Sequence, residues 1–314
     1  MSLKNFVIKL YFLRQRKKWN KRLKGRIPPK EALREWINKM TARFEVPEGI
    51  NIKKFNVDHI QTEWLIPTDA IAAEEMILYL HGGGYMMGSI DTHRSLAAKL
   101  AIESRAKVLL IDYALAPENP YPAALNDSLK VYTWLTENGY KSVSIILAGD
   151  SAGGGLALAT VLAAREKGMA LPAGLVLLSP WTDLAGTGES MTSKAKKDPV
   201  LTAETLPKIG AWYAGDIPLD DPRVSPLYAD LTGLPPMLIQ VGTSEILLDD
   251  STRLAERAKA AGVEVELDVW EGQMHVWQML WKELPKARKA IEKIANFTSK
   301  RLGQGRIMYH ELSD

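Results

Sequence analysis

The stretch ILAGDSAGGGLALA, Ile146 to Ala159, reads in three parts. An apolar run suited to a strand buried on both faces comes first. Gly149-Asp150-Ser151-Ala152-Gly153 follows, a Gly-x-Ser-x-Gly pattern, and a helical stretch of small residues completes it. A strand that turns sharply into a helix around a serine is a nucleophile elbow. Its turn is strained, and close contacts leave room only for glycine two residues to either side of the serine. Without the strand and the helix, the pentapeptide alone would be a weak signal.

Outward from the elbow, strand-like runs alternate with helical ones. Core-type strands are expected at Met76–Leu80, Lys107–Tyr113, Val143–Gly149, Gly174–Ser179, Met237–Gly242 and Val263–Trp270, after a short antiparallel pair, IKKFNV and TEWLI. Helical patterns lie between them at Thr92–Ser104, Ala123–Glu137, Ala152–Lys167, Asp250–Ala261 and Lys282–Leu302. Such alternation predicts an α/β fold with a mainly parallel sheet and helices on both sides. One connection, Trp181 to Pro236, runs more than fifty residues without a core strand and holds a helix near Thr202–Tyr213. A connection of that length reads as a lid or accessory element that covers one end of the sheet with the N-terminal helices.

A second glycine-rich stretch, ILYLHGGGYMMGS (Ile77–Ser89), leaves the first core strand. Glycines in series are kept where φ is positive or where something must approach the backbone closely. A phosphate is a poor candidate, because no Lys-Ser/Thr follows as a P-loop requires. Nor do Gly82 to Gly88 spell the dinucleotide fingerprint.

The chain has 314 residues, 46% hydrophobic and 25% charged, which is a globular composition. It contains no cysteine, so disulfides, thiolate metal sites and cysteine nucleophiles are excluded. A cytoplasmic location is expected, since a reducing compartment fits that absence. No run reaches the ~18–20 apolar residues of a membrane span. The N-terminus lacks a small-residue cleavage site and reads as mature protein. Residues 1–26 carry ten Lys/Arg and no acid, although the whole chain has a net charge of only +3. Leu3, Val7, Leu10 and Leu13 follow helical spacing there. Two uses are open: a face docked on the body with its lysines in water, or peripheral contact with an anionic membrane. No nucleic-acid motif occurs.

A serine needs a base, and the base needs a carboxylate. Of the five histidines, His59 lies in the strand pair, His310 in the tail, His81 before the glycines and His93 at a helix start. His275 lies in a loop after the final strand, at the sheet end where such sites gather. After Met237–Gly242 come Glu245, Asp249 and Asp250. The two aspartates stand where a helix start favours negative charge, which gives each a structural purpose. Glu245 is therefore preferred as the acid, with Asp249 the rival. The order Ser…acid…His is that of α/β-hydrolases.

The segments HGGGYMMGS, DYALAPENPYPAAL, GDSAGG, SPLYADLTGLPPMLIQVG and GQMHVW, in that order between about residues 60 and 280, resemble bacterial members of the hormone-sensitive-lipase family of esterases. The resemblance implies an α/β-hydrolase fold with an eight-stranded, mainly parallel sheet. It implies a catalytic domain over 49–183 and 226–314, and a helical cap from 1–48 and 184–225. Ser151 and His275 match the family nucleophile and base. Gly83, Gly84 and Ala152 match the backbone donors of the oxyanion hole. The implied activity is hydrolysis of short- to medium-chain acyl esters, without cofactor or metal, with a lactonase or an amidase/deacetylase on the same triad as the alternative. A homodimer through the last strand is a family expectation. Met86, Met87 and Trp181 are candidate acyl-pocket residues. His81 and Tyr85 are expected to brace the glycine loop. The family more often has aspartate where Glu245 stands, and an arginine where this chain has Ala114.

Overall fold

A computed structural model describes residues 3–23, 26, 28–69 and 74–303; His310 lies outside them. Helices α1 (Leu3–Leu23) and α2 (Lys30–Thr41) precede an antiparallel pair, β1 (Ile50–Val57) and β2 (Ile60–Pro67). The chain then alternates through β3 (Met76–Leu80), α3 (Ile90–Ser104), β4 (Lys107–Asp112), α4 (Ala123–Glu137), β5 (Ile145–Asp150), α5 (Ala152–Glu166) and β6 (Gly174–Leu178). The long connection holds α6 (Ser190–Ser193) and α7 (Leu206–Ala214). The remaining elements are β7 (Met237–Gly242), α8 (Leu248–Ala260), β8 (Val265–Trp270) and α9 (Pro285–Leu302). Among the described residues no helix is long and apolar enough to cross a membrane.

The eight strands form one sheet in the order β1-β2-β4-β3-β5-β6-β7-β8, antiparallel at β1/β2 and β2/β4 and parallel from β4 onward. Side chains alternate across it. Leu78, Leu80, Leu147 and Leu177 join the core on one face, while Ile77, Tyr79, Ile146 and Val176 join the core on the other. Burial on both faces explains why these strands read as continuous apolar runs. Burying each such side chain contributes about 1.5–3 kcal/mol. Helix α3 begins at Ser89, whose hydroxyl accepts from Thr92 N while Thr92 Oγ1 accepts from Ser89 N, a reciprocal cap.

Two expectations change here. The leucine/valine stripe does not set how α1 docks, because Val7 faces solvent. The inner face instead carries Asn5, Lys9, Phe12 and Arg16. Asn5 Nδ2 donates to Gly272 O (3.4 Å), Lys9 Nζ to Ser244 Oγ (2.7 Å), and Arg16 to Ala195 O (2.8 Å) and Leu201 O (3.2 Å). Asp249 and Asp250 lie in the first turn of α8, as expected, but neither side chain caps it. The Asp250 carboxylate accepts from Thr182 N and Asp183 N, and that of Asp249 from Ser190 N, so both secure other loops.

Candidate active site

The loops after β3, β5, β7 and β8 meet at the carboxyl end of the parallel strands, where open α/β sheets place ligands. Ser151 turns between β5 and α5 with φ 53° and ψ −122°. The turn is tight because backbone meets backbone. A methyl group on Gly149 would lie 2.3 Å from Gly153 O, and one on Gly153 would lie 2.1 Å from Leu80 O. The strained serine is held by Ser151 N donating to Leu178 O (2.8 Å).

Ser151 Oγ lies 2.9 Å from His275 Nε2, and His275 Nδ1 lies 2.8 Å from Glu245 Oε2. A carboxylate only accepts, so Nδ1 carries the proton and Nε2 is left to accept from the serine. Glu245 is fully buried. Its Oε1 accepts from Gly242 N (2.6 Å) and Ser179 Oγ (2.8 Å). The longer side chain thus folds back over its own loop. Burial works against the His275 imidazolium. The hydrogen bond and charge of Glu245, aided by Asp198 and Asp150, outweigh it and raise the pKa above the ordinary histidine value. Asp249, the rival acid, is committed to Ser190 N.

The glycine loop approaches from β3. Gly83 (φ 124°) accepts from Met86 N and Met87 N, and a methyl group on it would sit 2.1 Å from Met87 O. The N–H groups of Gly83 and Gly84 donate to nothing among the described residues. Ala152 N–H opens α5, where a helix leaves its first amides unpaired. Below the loop, Asp150 Oδ1 accepts from Tyr79 Oη (2.8 Å) and Gly82 N (3.0 Å) and lies 3.4 Å from His93 Nε2. Burial alone would raise the Asp150 pKa, but these partners hold it below the usual carboxylate value. His81 donates from Nδ1 to Gly82 O, stacks on Tyr113 at 4.2 Å, and is kept neutral by burial, its pKa lowered to about 3. Tyr85 stacks on Tyr213 at 3.7 Å.

A cavity opens above Ser151, His275, Gly83 and Gly84. Its walls are Phe12 of α1, Trp36, Ile37 and Met40 of α2, Val200, Leu201, Leu206 and Ile209 of the long connection, and Met274, Val276 and Met279 of the base loop. Met87 lines it, but Met86 and Trp181 do not. Met86 is turned into the packing by the Gly83 turn, and Trp181 lies in the core beside Tyr85, its indole N–H on Asp183 O. At Ala114, the position without arginine, the backbone N–H donates to Asp127, whose other oxygen faces His59 Nε2 at 3.1 Å.

Two supporting residues went unread in the sequence. Asp198 is fully buried, accepting from Val200 N and Leu201 N on one oxygen and from Ile246 N on the other. The Asp-Pro dipeptide at 198–199 was its only local signal, a turn initiator. Arg34 donates to Met86 O (2.8 Å) and pairs with Glu118, tying α2 to the glycine loop, and no sequence pattern marks it.

Comparison with known proteins agrees with this geometry. Residues 77–279 match the family model described as an alpha/beta hydrolase fold. The chain is 39% identical to an esterase of Acinetobacter venetianus over 85% of its own length and 88% of the relative's. Among solved structures, it is similar to an esterase from the bacterial hormone-sensitive lipase family, with 39% identity, a TM-score of 0.90, and 96% and 99% of the two chains covered. It is likewise similar to EstE5 from a crystal soaked with p-nitrophenyl butyrate, with 36% identity, a TM-score of 0.89, and 96% and 100% coverage. The chain therefore belongs to the hormone-sensitive-lipase family of carboxylesterases, serine hydrolases on the α/β-hydrolase fold.

Proposed function

We propose that the chain hydrolyses uncharged esters of short to medium acyl length through an acyl-enzyme on Ser151. The observation that carries this is the unbroken hydrogen-bonded line Ser151–His275–Glu245 opening into an apolar cavity. Ser151 Oγ attacks the ester carbonyl as His275 Nε2 takes its proton. The carbonyl oxygen becomes negative beside Gly83, Gly84 and Ala152, whose N–H groups stabilise it, each such donor contributing about 3–4 kcal/mol. The imidazolium returns the proton to the leaving alcohol, and Glu245 holds the ring and its charge. Water then repeats the sequence on the acyl-enzyme.

Among the described residues, the only ionisable groups lining the cavity apart from the proposed triad are Asp150 and His93, which face each other. A charged acyl or alcohol group would find no partner there, so neutral esters are favoured. The butyrate ester soaked into EstE5 fits the same size class. The segments 1–48 and 184–225 supply the roof residues of the cavity, and we read them as the cap. The test is a p-nitrophenyl ester series from acetate to palmitate on wild type and Ser151→Ala. Butyrate or hexanoate should turn over fastest, and Ser151→Ala should lose about 10⁵–10⁶ in kcat. A fully active Ser151→Ala, or palmitate as the best substrate, would overturn the proposal.

A further inference from the structure

Six large hydrophobic side chains are exposed among the described residues, and three of them lie within two turns of α1. Phe6, Val7 and Tyr11 are 50%, 55% and 50% exposed, whereas Ile52, Val143 and Val269 stand on three separate elements. At about 3.6 residues per turn, Val7 and Tyr11 share a face with Lys4, Arg14 and Lys18. Phe6, Leu10, Lys17 and Lys21 flank it. The helix is thus apolar outside at its N-terminal half and basic outside at its C-terminal half, and no acid occurs before Glu31. The opposite face is occupied by the body, so the outer face is free to meet something else.

We propose that the outer face of α1 adsorbs to an anionic phospholipid surface. Phe6, Val7, Leu10 and Tyr11 enter the boundary between headgroups and acyl chains, and Arg14, Lys17, Lys18 and Lys21 meet the lipid phosphates. Charge complementarity selects this occupant. A second copy would set the same uncompensated cations against one another, and a soluble polyanion would have no use for the apolar residues. The long lysine stems suit a site where the chain is in oil and the head in water. The Tyr11 ring stands edge-on to Phe12 at 5.6 Å, and Phe12 lines the cavity. Adsorption therefore brings the cavity wall within one helix diameter, about 10 Å, of the lipid. Resting on the ester-hydrolase function proposed above, this supplies neutral esters dissolved in the membrane without passage through bulk water.

Sedimentation of the full chain with phosphatidylcholine vesicles, with and without phosphatidylserine, tests the proposal. Binding to the anionic vesicles should exceed binding to the neutral ones by about tenfold or more, and high salt should remove the excess. Lys17→Gln/Lys18→Gln/Lys21→Gln should weaken it by about a hundredfold, at roughly fivefold per surface charge. Phe6→Ser/Val7→Ser should weaken it by about tenfold through lost apolar contact. Both variants should keep wild-type hydrolysis of a soluble ester. Equal binding to both vesicles overturns the proposal. So does sensitivity to the lysines without sensitivity to Phe6/Val7, which would mark a site for a soluble polyanion. A dimer that Phe6→Ser/Val7→Ser dissociates would assign the face to a second copy, and the proposal would fail. Ser151→Ala should bind as wild type does, so a failed adsorption and a failed catalytic assignment are read separately.

Discussion

The floor of the site and its roof are held by different means. Beneath the cavity, main chain fixes main chain: methyl groups on Gly83 and Gly153 would each stop 2.1 Å from a carbonyl oxygen. Above it, α1 and α2 reach the body through a few long polar side chains, among them Lys9, Arg16 and Arg34, and through apolar packing. Close-packed backbone has no slack, whereas each side-chain tether contributes only about 0.5–1.5 kcal/mol. On the proposed function, the reaction is thus built into parts that cannot give, and the choice of substrate into parts that can.

The contrast can be attacked from the floor first. Glu245→Gln removes the carboxylate that orients His275, and kcat should fall by about 10³–10⁴, while Asp249→Asn should retain most of its rate. Pre-steady-state turnover of p-nitrophenyl butyrate measures both, and a reversed ranking would make Asp249 the acid. Next in size is Gly83→Ala. Its added methyl group displaces the loop from Met87 O, and kcat should fall by about 10²–10³ with little change in KM. An intermediate effect belongs to Asp198→Asn, which weakens the link to Ile246 N beside the acid. The rate should fall roughly ten- to a hundredfold by misplacement.

The pH profile adds a sign. His275 must be neutral to accept the serine proton, so kcat/KM falls as pH drops through its pKa. That midpoint should lie above the ordinary 6.5, because Glu245, Asp198 and Asp150 favour the imidazolium. In Asp198→Asn the midpoint should move to lower pH, since burial persists and one stabilising charge is gone. The smallest effect comes from the roof. Arg34→Met keeps the apolar stem and loses the bonds to Met86 O and Glu118, costing about 1–2 kcal/mol, limited by the solvent exposure of the Glu118 pair. Calorimetry reads that loss, and kcat on a short ester should be nearly untouched. A collapse of kcat there would show that the roof is as integral to the chemistry as the floor.

The same division decided what could be read before any coordinates. The central strands β3 to β7 were legible because burial on both faces makes them continuous apolar runs, and all the strand bounds differ from expectation by at most two residues. That Ser151, Glu245 and His275 meet was legible because each follows a recognisable strand end. Met87 and Met86 were not separable in the sequence. Which of two adjacent side chains enters the cavity depends on the turn that Gly83 permits. Asp198 and Arg34 act on residues far along the chain, so nothing beside them announces their partners. Which face of α1 docks was not legible for a related reason: it is selected by polar anchors to Gly272, Ser244 and Leu201, contacts that an apolar stripe cannot foretell.

The carboxylate of Asp198 has one oxygen on Val200 and Leu201, which wall the cavity, and the other on Ile246, next to Glu245. Container and reagent therefore hang from a single peg. On the proposed function, substitutions at residues 200–201 that shift their backbone also disturb the alignment of Glu245, and substrate range and turnover are expected to change together on that side. On the α2 side, Trp36 and Met40 line the same cavity with no such attachment to the acid, and the space for new substrates is more freely opened there.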